Sequence, residues 1–288
     1  MTDTFTHGAW GTEGTRDEVA RLRGEVRHLR AQARNRPLIA QAQGILRERY
    51  RLADAEAAFA LLQYASQRFN IKLRTLADAV VALDRPDEGA EQWFPGRARH
   101  PAPRLDSLAI DDTARVNRGA VLRAVLSRTM TITSTHMGNV QIMDHASGGL
   151  WLEKHEGLSE DFVSFFDYVG GSGTSCAQAA NDMTQVTVRD VATAPVFTED
   201  ARRTILEAGS RSAHSVPLLG GGRVVGMVNA HFDRPIPELH TAQLNALDHT
   251  GREVGRWLAW YDRTVVLDAL EYLHAAARHP AMTRARRR

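Results

Sequence analysis

Apolar positions in the first third of the chain recur at helical spacing in three separate runs. Leu38, Ile39, Ala42, Ile45 and Leu46 form the first, Ala58, Phe59, Leu61, Leu62 and Ala65 the second, and Leu73, Leu76, Ala77, Val80 and Val81 the third. Each predicts a short amphipathic helix with one apolar face. Three such helices over residues 35–84 make a small bundle that buries little surface alone and is expected to lean on a second copy of the chain. Immediately upstream, Val19, Leu22, Val26, Leu29 and Ala33 alternate at spacings of three and four, with Arg and Glu filling most of the positions between. That pattern predicts a coiled-coil helix over 16–34 whose seam, Val19, Leu22, Val26 and Leu29, pairs two copies of the chain. The other reading is a lone amphipathic helix on its own domain. Residues 1–15 show no pattern and are expected to be disordered.

The periodicity then stops. Residues 85–104 hold four prolines, two glycines and no repeat, which marks a linker. Its Trp93 and Phe94 either dock on a neighbouring domain or form an apolar spot on a flexible segment. From Leu105 the pattern switches between periods. A helix is expected from Ile110 to Ile132, strands at G-N-V-Q-I-M-D and G-L-W-L-E-K-H, and helical pieces near Glu160–Tyr168 and at S-C-A-Q-A-A-N. Strand V-T-V-R-D-V, a helix over Asp200–Ala208, two long strands around G-G-G and a last helix from about Glu238 to Ala277 complete it. Antiparallel strands with helices on one face predict an α+β domain over 105–277, followed by a basic tail at 278–288. The fold class is thus multidomain: an all-α N-terminal part and an α+β C-terminal part.

Charge changes this picture because it is segregated. The whole chain is only +2, yet residues 16–83 hold 13 Lys and Arg against 7 Asp and Glu, whereas residues 84–277 hold 18 against 25. The helical part is therefore the half suited to a polyanion. No stretch approaches twenty apolar residues, so no membrane span is expected and a cytoplasmic location is. The single cysteine, Cys176, rules out an internal disulfide. The twelve histidines form no pair at metal-ligand spacing, and no Ser-His-Asp set or carboxylate pair stands out. No metal site, no catalytic residue and no enzymatic activity are expected.

The landmarks Arg36, Ile39, Ala42, Gly44, Ile45, Leu46 and Arg49, then Ala58, Phe59, Leu62, Ser66, Asn70, Lys72, Leu73 and Ala77, resemble the ANTAR domain. That family is a three-helix RNA-binding module of bacterial transcription antitermination regulators. The resemblance implies a homodimer that holds paired stem-loops in nascent leader mRNA and so keeps a terminator hairpin from closing. Arg36, Gln43, Gly44, Arg47, Arg49, Gln63, Asn70, Lys72 and Arg74 are the candidate RNA contacts, through amides, guanidinium stacking and salt links to phosphate. Gly44 either admits a backbone closely or lets two helices pack. Two positions depart from the family pattern: Gln43 and Gln63 stand where Lys and Arg are usual, which removes two cationic contacts. The module also precedes its companion domain, whereas the family commonly places it last.

The motifs V-Q-I-M-D, G-S-G-T-S-C-A-Q-A-A, V-T-V-R-D-V with Pro195, and S-V-P-L-L-G-G-G-R-V-V-G-M-V-N-A-H-F resemble a GAF domain from about Leu105 to Tyr261. Such sensors imply a small-molecule effector, unidentified here, held between sheet and helices. Trp151, Phe162, Phe166, Cys176, His214 and His231 are the candidate lining, with ordinary core packing as the other reading. The glycine-rich G-G-S-G-T is able to receive an anion at a helix start but lacks the Lys of a P-loop. The expected function is a dimeric RNA-binding antitermination regulator in signal transduction, governed by its sensor domain. The alternative is a ligand-sensing or scaffolding dimer whose ANTAR-like segment no longer binds RNA.

Overall fold

Arg51, left-handed at φ 50°, ends the first of three helices, and Asp54 starts the second. Its side chain accepts the Ala57 N–H at the N-cap, and Asn70 closes the same helix in a left-handed conformation at φ 51°. The computed structural model describes Arg21 and residues 37–111, 114–144 and 146–279. Within them the first part consists of α1 over residues 37–50, α2 Ala55–Phe69 and α3 Leu73–Ala82. Ala42, Leu46, Ala58, Leu62, Leu76 and Ala77 are fully buried between these helices. The coiled-coil seam at Val19, Leu22, Val26 and Leu29, the N-terminal residues 1–15, Arg36 and the basic tail beyond His279 lie outside the described residues.

The second part begins with α4 Arg118–Thr133, preceded by a 3₁₀ turn over Ala114–Val116. The expected start at Ile110 was too early, because Asn117 is an extended N-cap that accepts the Ala120 N–H. There follow β1 Met137–Met143, β2 Leu150–Glu156, α5 Glu160–Phe165, β3 Tyr168–Val169, α6 Ser175–Asp182, β4 Val186–Val188, α7 Glu199–Glu207, β5 Ser212–Gly220 and β6 Arg223–Phe232. The strands form one antiparallel sheet in the order β3-β2-β1-β6-β5-β4. Helix α8, Thr241–Tyr261, continues through a π turn at Asp262–Val266 into α9, Leu267–Arg278.

Helices cover both faces of the sheet rather than one. Val140, Val216, Leu218 and Val228 point toward α4 and α8, whereas Leu150, Val188 and Met227 point toward α5, α6 and α7, and the bulge at Val225 lets that residue join the first face out of turn. Strand parity produces this split, since successive side chains alternate faces. Helix α8 lies unusually close to β5. A Cβ on Gly255 would come within 2.3 Å of the Leu219 backbone, and one on Gly220 within 2.2 Å of the Gly255 carbonyl.

The small bundle was expected to lean on a second copy, but among the described residues it packs on α9 of the same chain. Leu270, Leu273 and Ala269 of α9 are fully buried in one apolar cluster with the three N-terminal helices, α4 and α8. Phe69 packs against Tyr272 at 5.8 Å between ring centroids, and Arg68 lies over the same ring. The expected linker is irregular, yet it is anchored. Trp93 is buried, its indole donates to the Asp84 carbonyl at 2.9 Å, and its backbone N–H reaches the Glu271 carboxylate at 3.1 Å.

Candidate nucleic-acid interface and sensor cavity

Glu153 of β2 decides how the basic helices sit on the rest of the chain. Its side chain is only 2% exposed, and three cations surround it: Lys72 at 2.5 Å, Arg74 at 3.3 Å and Arg118 at 3.8 Å. Burial pushes its carboxyl pKa up, and Arg118, Lys72 and Arg74 more than reverse that, so the net shift is downward and Glu153 is ionised at neutral pH. Burial lowers the Arg74 pKa, with Glu153 opposing and Arg118 adding repulsion. A guanidinium begins so far above neutrality that Arg74 stays charged. Two guanidiniums thus share one carboxylate.

Trp151, two residues before Glu153, builds the floor of this contact. Arg74 lies over its ring at 4.2 Å, and its indole N–H donates to Asp144 at 2.9 Å. Asp78 of α3 and Asp144 both accept the Ala146 N–H, at 3.0 and 3.2 Å. The loop after β1 and the face of β2 therefore hold α3 through charge as well as packing.

The candidate RNA contacts divide into two groups. Arg47 and Gln63 are exposed, and Asn70 is exposed at the left-handed turn after α2. Gly44 is exposed too, and a Cβ there would meet nothing within 4 Å, so Gly44 packs against no other helix among the described residues. The others are engaged internally. Gln43 donates to the Ala55 carbonyl at 3.0 Å and ties α1 to α2. Arg49 lies over the Trp93 ring at 4.7 Å. Lys72 and Arg74 are paired with Glu153. Arg36 lies outside the described residues.

A second candidate site is enclosed between the sheet and α5–α7. Phe162, Phe166, Cys176 and His231 line it, joined by Asn139, Gln141, Thr174, Ser175 and Asn229. Trp151 and His214 lie elsewhere. Trp151 faces the basic helices, and His214 points to the other sheet face, where Thr187 and Gln185 bond its two ring nitrogens at 2.8 Å each. The polar lining from β1 and β6 was not among the sequence candidates, although strand parity with His231 marks Asn229 as its neighbour on the same face.

Asn229 Nδ2 donates to Asn139 Oδ1 at 2.6 Å and Gln141 Oε1 at 3.3 Å, which leaves Asn229 Oδ1 buried without a partner. About 20 Å³ of free space remains, room for about one water. His231 bonds Ser210 at 3.0 Å and packs edge-on against Phe162, and burial lowers its pKa to about 4. The Cys176 thiol is pushed up by burial, and Thr174, which caps α6, lies 3.1 Å from its sulfur. The site is thus a small buried pocket in which Phe162, Phe166, Phe197 and Ile205 stand beside the amides, with one unmet acceptor.

No helix among the described residues is long and apolar enough to cross a membrane. No group of three or more His, Cys, Asp or Glu among them is placed to hold a metal ion.

Comparison with known proteins finds one family model in each part of the chain. The ANTAR domain model matches residues 27–81 and the GAF domain model residues 110–256, just over half of the chain. No curated protein matches. Solved structures similar to the chain include the GAF domain from an Acinetobacter phosphoenolpyruvate-protein phosphotransferase, 13% identical over 50% of this chain and 82% of that one, TM-score 0.42. Another is a GAF domain/HD domain protein from Geobacter sulfurreducens, 13% identical over 51% and 94%, TM-score 0.43. A third is a free methionine-R-sulfoxide reductase from Neisseria meningitidis in complex with its substrate, 18% identical over 64% and 99%, TM-score 0.32. The chain belongs to the GAF domain family and carries an ANTAR domain ahead of the sensor, the make-up of a signalling regulator.

Proposed function

We propose that this chain is a cytoplasmic, homodimeric RNA-binding antitermination regulator that holds paired stem-loops of a nascent leader mRNA under control of its GAF domain. The observation that carries the reading is the ANTAR match over a three-helix bundle whose Gly44, Arg47, Gln63 and Asn70 stay open to solvent. Exposed amides and a guanidinium suit unstacked loop bases and the phosphate backbone. The coiled coil at 16–34 would supply the second copy. The reading assigns no catalysed reaction to the chain.

The pairing of Lys72 and Arg74 with Glu153 gives the sensor a direct hold on the RNA module. In the docked arrangement a carboxylate takes the place that an RNA phosphate would take. Release of α3 from β2 would free both cations, and the trigger would be an effector that binds the Asn229 pocket in an opened form, since the docked arrangement leaves room there for about one water. A ligand shifts that balance only by binding one arrangement better than the other.

The same pairing also favours the second reading, in which the ANTAR segment is a structural part of a sensing dimer. A transcription readthrough assay on a leader with two stem-loops and a terminator separates the two. Arg47→Ser, at an exposed position outside the docked contact, lowers readthrough under the first reading without changing thermal stability. Unchanged readthrough in Arg47→Ser and in Gln63→Ala sinks it.

A further inference from the structure

A cavity of about 580 Å³ lies outside the sheet, between residues 97–103, the end of α8 and the π turn. Its size falls within the range of small-molecule sites, about 300–1,000 Å³. No acidic side chain among the described residues lines it. Arg256 and Arg263 do, both exposed and both without an ion pair among the described residues, and the Trp260 ring, Pro101 and Leu267 supply flat apolar walls.

The walls are fixed before any ligand arrives. Arg97 donates to the carbonyls of Arg263 at 2.9 Å and Thr264 at 3.3 Å, and it also pairs with Asp268. Arg99 reaches Asp268 at 3.0 Å, and the Trp260 indole donates to the His100 carbonyl at 2.7 Å. Asp268, the acid nearest this cluster in the hydrogen-bond pattern, is thus consumed by Arg97 and Arg99. The helix runs on into α9, so no free helix C-terminus faces the cavity, and Arg97 takes two carbonyls of the π turn. Single π turns inside α-helices occur disproportionately at functional sites.

We propose that this cavity binds a small aromatic anion, its ring against Trp260 and its phosphate or carboxylate between Arg256 and Arg263. Two unpaired guanidiniums beside an aromatic wall recognise that combination, through charge-assisted hydrogen bonds and stacking. The site is separate from the closed Asn229 pocket. It abuts the π turn that leads into α9, the helix on which the ANTAR bundle rests. The proposal does not depend on RNA binding.

The test is calorimetric titration of the full chain with 1-naphthyl phosphate, with inorganic phosphate and 1-naphthol as half-ligands. The expected result is one site per chain with Kd below about 1 mM at 0.15 M salt, and both half-ligands at least about tenfold weaker. The double variant Arg256→Gln/Arg263→Gln weakens binding by at least about tenfold, whereas Arg128→Gln, an exposed arginine of α4, leaves it within about twofold. Absence of saturation up to about 5 mM overturns the proposal, as does a double variant that melts normally and binds like the native chain. Binding of 1-naphthol as tight as its phosphate also overturns it, because the guanidiniums then contribute nothing.

Discussion

Replacing Glu153 by Gln keeps the shape of the side chain and removes the charge that holds Lys72, Arg74 and Arg118. Lys72 is 58% exposed, so solvent screens most of its share. Arg74 and Arg118 are 17% and 10% exposed, and without the carboxylate they face each other across a buried amide. Removing one partner of a buried ion pair costs about 3–5 kcal/mol, and a Gln that still accepts a hydrogen bond belongs at the low end, about 3 kcal/mol. At about 1.4 kcal/mol per tenfold, the ratio of docked to released ANTAR helices falls about a hundredfold. RNA affinity then rises by between about tenfold and a hundredfold, the upper limit set by how strongly the native chain favours docking. Fluorescence anisotropy with a two-stem-loop RNA at fixed salt reads this directly. Glu238→Gln, an exposed carboxylate paired with Arg189, is the control and leaves affinity unchanged. If Glu153→Gln lowers the melting temperature but RNA affinity stays within twofold, the contact is structural only and the capping argument fails.

Other expectations follow from the same geometry. Burial lowers the His214 and His231 pKa values to about 4, so the unfolded chain binds more protons between about pH 6.5 and 4. Their stabilising effect is full above about pH 6.5 and is lost as pH falls through that window, by up to about 3 kcal/mol each. Melting temperature against pH should show this, with a flatter profile in His214→Gln; an identical profile contradicts it. Gly255→Ala forces α8 off β5 and should cost about 3 kcal/mol or more by chemical denaturation, whereas a loss under about 0.5 kcal/mol would mean that the helix shifts freely. Cys176, buried with a raised pKa, should react with thiol reagents only as fast as the domain opens, and rapid labelling of the native chain would refute its enclosure.

Much of the fold was legible because it is local. The three N-terminal helices follow from apolar runs bounded by Asp54 and Asn70, and the β5–β6 hairpin from two apolar strands flanking Gly221 and Gly222. The start of α4 was misplaced because Ile110 continues a helical apolar pattern, while Asn117, a polar residue inside that pattern, is the cap. The site was harder. Lys72 and Arg74 read as RNA contacts, and the carboxylate that pairs them lies about eighty positions along the chain. Trp151 read as a pocket aromatic, yet strand parity places it opposite Leu150, on the face that meets α3. The π turn leaves no mark in the periodicity of α8.

The measurement that tests the central claim most directly is salt-dependent binding of the full chain to an RNA with two adjacent stem-loops, against a single stem-loop and duplex DNA. The account predicts that both loops are required, that one RNA takes up two copies of the chain, and that affinity falls steeply as salt rises. Equal, weak binding to all three nucleic acids would contradict it, and would leave the ANTAR helices as a basic surface held in place by Glu153.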